Sequence, residues 1–476
     1  MLLRYHSAAP PMTARQVVRL ALVGLGTSVV PLDTAVNIAF PDLTESFGLP
    51  IETIQWVVIC YVLTYSSLML AFGRVGDIWG HGRVFRIGLL WSGAAYLLCA
   101  AAPSYGWLLF CRFLQGIGAS LVVSCAPALV TGLYAEERRS RAVAAFTVMY
   151  AIGSAAGPLL GGIFVELWGW PAVFWFRAPI ALAALLFLEG LPVVSRHAAR
   201  ETVDILGAIL LAVGISALLL MLNRLQSLDK HQFAAIALAA AGLSSLIGFV
   251  RWETRIAQPI VNLRFFRTLG FTAVNAASVL IYLTSFSVLL LGPYYLVRAT
   301  SVSVPVAGGI LAVSFAASIV ASPLAGWVIE RVLAARVAVL GAFLAASGLV
   351  LMGAAGQTIS ILGALAVQGF GVGLFQVAYM DIVMQTLPPH QRGVAGGIAM
   401  LGRSLGTVTG ATLLTLVFHA AEAISVAGGN APTDAFLTGF RATFWLAGAV
   451  CAGAGLLVLL AARRPQRFPK IRGPRA

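Results

Sequence analysis

The chain has 476 residues, 60% hydrophobic and 10% charged, with a net charge of +14 and a mean hydropathy of +0.93. No soluble domain hides that much apolar surface, so composition excludes a soluble enzyme and indicates an all-α polytopic membrane protein. The basic excess falls in small clusters between apolar runs rather than in one basic domain, which excludes nucleic acid as a partner and fits membrane topology.

Fourteen apolar segments follow one another, with approximate limits 17–40, 53–73, 84–102, 105–132, 142–165, 171–192, 204–223, 232–250, 269–297, 304–329, 334–355, 358–387, 393–418 and 440–462. The first lacks a short apolar core with a small-residue cleavage site and is expected to be a retained helix. Connections are short, and the longest is expected on the outer side, from about 419 to 439. The five cysteines all lie inside apolar segments without metal-ligand spacing, so neither a metal site nor a disulfide framework is expected. With a cytoplasmic N-terminus, 24 Arg and Lys residues face the cytoplasm and 5 the outside, Arg177 among the latter; Arg112 and Arg403 lie within helices. That asymmetry predicts both termini in the cytoplasm.

The chain repeats with an offset of 253 residues. Gly73, Asp77 and Arg83 fall on Gly326, Glu330 and Arg336; Gln115, Gly116 and Gly118 fall on Gln368, Gly369 and Gly371; Gly153 and Gly157 fall on Gly406 and Gly410. The expected organisation is an N-terminal six-helix bundle (1–200), a two-helix insert (201–262) and a C-terminal six-helix bundle (263–476) in parallel orientation, a known transporter architecture. Asp33 and Arg112 fall on Phe286 and Leu365, so the buried charges belong to the first half alone.

The run Leu32–Pro41 places Asp33 inside the first segment, with Asn37 on the same helix face. An intramembrane carboxylate is costly unless paired, hydrated or protonated. It is either an acid tolerated near a wet helix end or a titratable group in a polar cavity. Arg112 enters from the same side, and both lie about eight residues, roughly 12 Å, deep. The two are expected to pair or share a hydrated network in at least one state, which makes Asp33's proton affinity depend on conformation. The alternative for Arg112 is bonding to backbone carbonyls. Asp33→Asn is then expected to abolish transport with little effect on folding.

Three weaker constellations follow. Gly73, Asp77 and Arg83, repeated as Glu330 and Arg336, suggest a paired cytoplasmic gate. Gly153, Gly157, Pro158, Gly161 and Gly162 give segment 5 a smooth face and a missing helix hydrogen bond. Asn37, Trp56, Tyr61, Gln115, Asn275, Tyr282, Gln376 and Tyr379 are the candidate substrate-cavity residues, an aromatic-rich set suited to bulky amphiphiles. Asp381 reads as a wet residue near the inner end or as a second proton or cation site. No nucleotide-binding loop of the G-x4-GK[ST] type is present.

With these residues the whole chain resembles the major facilitator superfamily, in particular its fourteen-helix drug:proton antiporter branch. Leu32–Pro41 resembles the branch's first-helix motif, Gly73–Arg83 the loop motif, Arg112-x2-Gln115-Gly116-x-Gly118 the fourth-helix motif, and Gly153–Gly162 the fifth-helix antiporter motif. The resemblance implies no enzyme but a proton-coupled exporter of small amphipathic compounds in a bacterial inner membrane. Its partners are substrate, protons and the lipid bilayer. It needs no cofactor, the proton gradient supplies the energy, and a monomer is the expected assembly. Two departures stand out: Ile78 and His81-Gly82 replace basic residues of the loop motif, and Arg177 replaces an Asn that the branch commonly carries before an apolar-Pro step. A cation at the outer exit would disfavour cationic cargo. A dedicated transporter of one metabolite, lipid or siderophore-like molecule, and a non-transporting sensor or scaffold, remain as alternatives.

Overall fold

The computed structural model describes residues 14–132, 139–187, 204–224, 228–256, 263–300, 302–387 and 393–463. These are helical, as an apolar chain must be where no water satisfies its backbone. The elements are α1 (Ala14–Ser28), α2 (Ala35–Ile38), α3 (Phe40–Ser46), α4 (Ile51–Trp79), α5 (His81–Ala100), α6 (Tyr105–Gly132), α7 (Arg139–Trp168), α8 (Ala172–Trp175) and α9 (Arg177–Phe187). After them come α10 (Ile205–Arg224), α11 (Leu228–Glu253), α12 (Leu269–Tyr294), α13 (Val304–Ile329), α14 (Ala334–Ala354), α15 (Thr358–Thr386), α16 (Gly393–Ala427) and α17 (Pro432–Ala462). Among the described residues, 11 helices are long and apolar enough to span a membrane, and shorter apolar helices at Thr53–Met69, Ala172–Leu186 and Ile209–Leu218 fill the remaining predicted segments. Residues 188–203 and 257–262, where two of the expected domain boundaries fall, lie outside the described residues.

Two expectations need correction. The stretch 419–439 is not a long loop: α16 runs on to Ala427 and α17 begins at Pro432. The Ala-rich run Ala420–Ala427 extends the helix, and Gly429 at φ 82° turns the chain. The first segment is not one continuous helix either. Pro31 lacks an N–H, and α1 gives way to a 3-10 turn at Pro31–Thr34 before α2 resumes. Asp33 sits on that turn.

The break is held by α7, which packs against α1, the turn and α2 on one side and against α13 on the other. A Cβ on Gly161 would stand 2.9 Å from the Ala35 Cα, and one on Gly157 would collide with Thr34 Oγ1. Thr34 donates to the carbonyls of Pro31 and Ser154, both at 3.0 Å. The glycine face of α7 thus fixes where the first helix breaks, and with it the position of Asp33.

The 253-residue offset also relates packing contacts. Gly116 abuts the Tyr61 carbonyl of α4, and Gly369 abuts that of Ser314 on α13; Gly118 abuts Ser92 of α5, and Gly371 abuts Ala345 of α14. Each contact maps onto its partner under one shift, so the repeat is one of structure as well as sequence. Of the insert, α10 packs on α11, α4 and α16, bridging elements on both sides of the repeat.

At the end of the bundle reached by Ile38 and Trp168, here the distal end, the first and second repeats touch. Tyr294 OH donates to the Phe40 carbonyl (3.2 Å), and the α7 and α13 backbones meet where a Cβ on Gly162 would lie 2.7 Å from the Val304 oxygen. One apolar core runs through this end, from Leu32–Leu43 into Val274–Leu296 and beyond.

The distal end is also tied by Asp42, whose Oδ2 accepts the Trp170 N–H at 2.7 Å. Burial pushes the Asp42 carboxyl above its ordinary 3.8, opposed in part by that N–H. The folded chain then holds the proton more tightly than the unfolded chain. Its contribution to stability is full below 3.8 and is lost as pH rises through the folded-state value. Thermal melts titrated from acid should show Tm falling across that window, and Asp42→Asn, which can still accept the Trp170 N–H, should remove this component of the slope.

Candidate functional site

Asp33 is the centre of a buried charge cluster. Arg112 grips it with both terminal nitrogens, Nη1 to Oδ1 at 2.7 Å and Nη2 to Oδ2 at 2.8 Å. This two-point geometry is the strong form of the carboxylate–guanidinium contact. Gln115, one turn along α6, donates to Oδ1 at 2.9 Å and accepts from Arg112 at 2.7 Å. Arg112 Nε donates to the Val57 carbonyl of α4 at 2.7 Å, so the guanidinium is both paired and tied to backbone. Equal depth on antiparallel segments brings Asp33 and Arg112 together, as the residue count anticipates.

The structure adds a second arginine. Arg177 Nη1 donates to Asp33 Oδ1 at 2.6 Å, and its Nε donates to Val173 at 3.0 Å. Both arginines are fully buried, while the Asp33 side chain keeps 13% exposure. Arg177 is therefore not a cation at an outer exit. It lies six residues inside the segment expected to start at 171, and counting its depth as for Asp33 and Arg112 would have found it. Aromatic rings complete the enclosure: Arg112 lies over Tyr61 (4.3 Å to the ring centre) and Arg177 over Tyr96 (4.5 Å). Phe174 lies within 6 Å of both, at 5.8 and 5.6 Å. Neither Tyr96 nor Phe174 stands out in the sequence, because a ring in an apolar helix carries no signal of its own.

The expected cavity residues divide. Gln115 belongs to the charge cluster. Asn37 is buried, donates to Thr34 at 3.2 Å, and leaves its Oδ1 unpaired. Tyr61 stacks on Tyr65 with its hydroxyl unpaired, and Trp56 packs half-buried on the core. In the second repeat Tyr379 donates to Asn275 at 2.9 Å, Tyr282 lies under Arg403 (5.5 Å), and Gln376 is exposed. Gln368, the counterpart of Gln115, accepts from Ser314 and donates to Ser285, beside the Phe286 that stands at Asp33's equivalent position. The second repeat keeps the glutamine bridge and drops the charge.

Of the cytoplasmic-gate residues, only part can be placed among the described residues. Arg83, Glu330 and Arg336 are exposed, and among the described residues no ion pair joins Glu330 to either arginine. Gly73 lies on α4 beside Ser124 of α6, and the Asp77 side chain lies outside the described residues. Asp381 accepts from Gln385 one turn on, at 2.7 Å. Gly153, Gly157, Pro158, Gly161 and Gly162 line the α7 contacts with the first-helix break and with α13.

Comparison with known proteins agrees with this architecture. The chain matches the Major Facilitator Superfamily over residues 22–292 and 274–475. It is 25% identical to the riboflavin transporter RibZ of Clostridioides difficile, over 91% of this chain and 94% of that one. It is 28% identical to the multidrug resistance protein Stp of Mycobacterium tuberculosis (86% and 77% covered). It is equally 28% identical to the puromycin resistance protein pur8 of Streptomyces alboniger (91% and 88% covered). Among solved structures, a bacterial homologue of the lysosomal transporter Spinster, inward-facing and occupied, shares the fold with a TM-score of 0.71 at 15% identity, covering 95% of this chain and 98% of that one. Two repeats of transmembrane helices, matched end to end by one family, make the chain a multi-pass membrane transporter that belongs to the Major Facilitator Superfamily.

Proposed function

We propose that the chain is a proton-coupled exporter of small amphipathic compounds working by alternating access in a bacterial inner membrane. The observation that carries this reading is the buried Asp33 held by Arg112, Arg177 and Gln115 on a break in the first helix. A carboxylate so placed has two ways to satisfy its charge in an apolar medium: the guanidinium clamp or a proton. Movement of α6 or α9 away from the turn exchanges one for the other, and that exchange ties protonation to conformation. Relatives named for multidrug and puromycin resistance support export of drug-like compounds.

On this reading the Arg-rich end is cytoplasmic, with both termini there, and the distal end faces outward. The two bundles, 1–200 and 263–476, rock against each other, and the insert 201–262 spans the seam where α10 touches α4 and α16. The closed distal contacts fit a state open to the cytoplasm. A second reading, a dedicated transporter of one metabolite, is favoured by the relative named as a riboflavin transporter.

The test is reconstitution into liposomes with an imposed pH gradient and an entrapped pH-sensitive dye. Several unrelated amphiphiles should each trigger proton movement. A response to one compound alone makes the chain a specialist, and proton movement with none of them overturns the coupling.

A further inference from the structure

The charge of the cluster does not balance. Asp33 supplies one negative charge against two fully buried arginines. A third cation inside the helix bundle, Arg403 on α16, is partly exposed and lies over the Tyr282 ring (5.5 Å), and among the described residues no carboxylate pairs with it. An uncompensated cation in this setting is costly, and buried polar atoms are nearly always bonded. Yet Arg177 Nη2 is buried without a partner, and so are Tyr61 OH, Asn37 Oδ1 and both amide atoms of Gln55. The unpartnered edge of Arg177, in a cluster with one more positive than negative charge, can therefore take up the oxygen of an anion.

A path of rings leads from the cluster to the second repeat. Arg112 lies over Tyr61, Tyr61 stacks on Tyr65 (5.8 Å between ring centres), and Tyr65 OH contacts Met400 Sδ at 2.7 Å, one turn from Arg403. Flat aromatic surface between cationic groups suits a planar ring system bearing an acid.

We infer that the cargo is an anion, a carboxylate-bearing aromatic amphiphile whose acid group is bound by the unpaired edge of Arg177 and whose rings extend along this path towards Arg403. This deepens the exporter reading and rests on it for direction of transport, but not for recognition. Binding of an anion would supply the missing counter-charge and weaken Arg177's hold on Asp33, which places the acid group of the cargo and the Asp33 carboxylate in competition for Arg177.

Equilibrium binding separates the two claims because it needs no gradient. Fluorescence anisotropy of the purified full chain would be measured with fluorescein, its methyl ester, rhodamine B and the cationic rhodamine B ethyl ester. Wild type should bind fluorescein about tenfold or more tighter than the cationic ester, the worth of one charged hydrogen bond. Arg177→Asn should erase that preference, Arg177→Lys should retain part of it, and Arg403→Gln, remote from Asp33, should weaken fluorescein binding even if Arg177→Asn fails to fold. Tighter binding of the cationic ester by wild type, or no binding of any dye, overturns the inference. Fluorescein binding with no proton movement in liposomes removes the coupling and leaves the anion site standing.

Discussion

Replacing Asp33 by Asn should abolish gradient-driven transport and also lower the thermal stability of the protein, and only the second loss should be repaired by adding Arg177→Asn. The sequence alone suggests that Asp33→Asn leaves the fold nearly intact. The structure puts two fully buried guanidiniums on one carboxylate. Removing one partner of a buried ion pair costs about 3–5 kcal/mol in soluble proteins, because the other charge is left uncompensated. Polar contacts within membranes are weaker, so about 1–2 kcal/mol is expected here. Arg177→Asn removes one stranded charge, and the remaining Arg112 keeps its bonds to Val57 and Gln115. The double variant should melt closer to wild type and still move no protons. A coupled flux in either variant at the wild-type rate would shift the proton site elsewhere, with Asp381 next in line.

The parts of this arrangement that the sequence discloses are those set by length and depth. A spanning helix needs about 20 apolar residues, and the 11 helices that reach that length among the described residues all fall on segments found by counting. Asp33 and Arg112 meet because they lie equally far from the same membrane face. Arg177 escapes because it opens a helix beside a loop, where a cation ordinarily faces water, although its place in the resembling branch's Asn position is visible at once. The break at Pro31 is hidden for a different reason: proline is tolerated in membrane helices, and whether the helix continues depends on what packs against it. Here α7 brings Thr34 within 3.0 Å of the Ser154 carbonyl and settles the matter. The stretch 419–439 misleads because His419 and Glu422 look like loop residues, yet they bond each other across one helical turn at 3.1 Å. Cavity residues are the least legible. Asn275 and Tyr379 satisfy each other rather than facing an open space as unpaired groups, and periodicity cannot tell those two fates apart.

Placing a side chain at Gly308 should open the distal end. A Cβ there would collide with the Pro158 carbonyl oxygen and stand 3.3 Å from the Gly162 Cα, so neither neighbour is a flexible side chain that can swing away. The strain falls on the contact between α7 and α13, which joins the two repeats. Overpacking costs about 1–3 kcal/mol, and every 1.4 kcal/mol changes a two-state ratio about tenfold. If the distal contacts separate in the transport cycle, Gly308→Val penalises only the state in which they are closed. The population should then shift towards the open state by about tenfold. Thr44 reports on this, since it is buried at the distal end beside Tyr294. A cysteine introduced at Thr44 should react slowly with a membrane-impermeant maleimide in the otherwise wild-type chain and about tenfold faster in the Gly308→Val background. Transport should fall in parallel, because a carrier held in one state cannot complete the cycle. Unchanged labelling with intact transport would mean that the α7–α13 seam stays closed throughout, and the moving contacts would then have to be sought along α4 and α16.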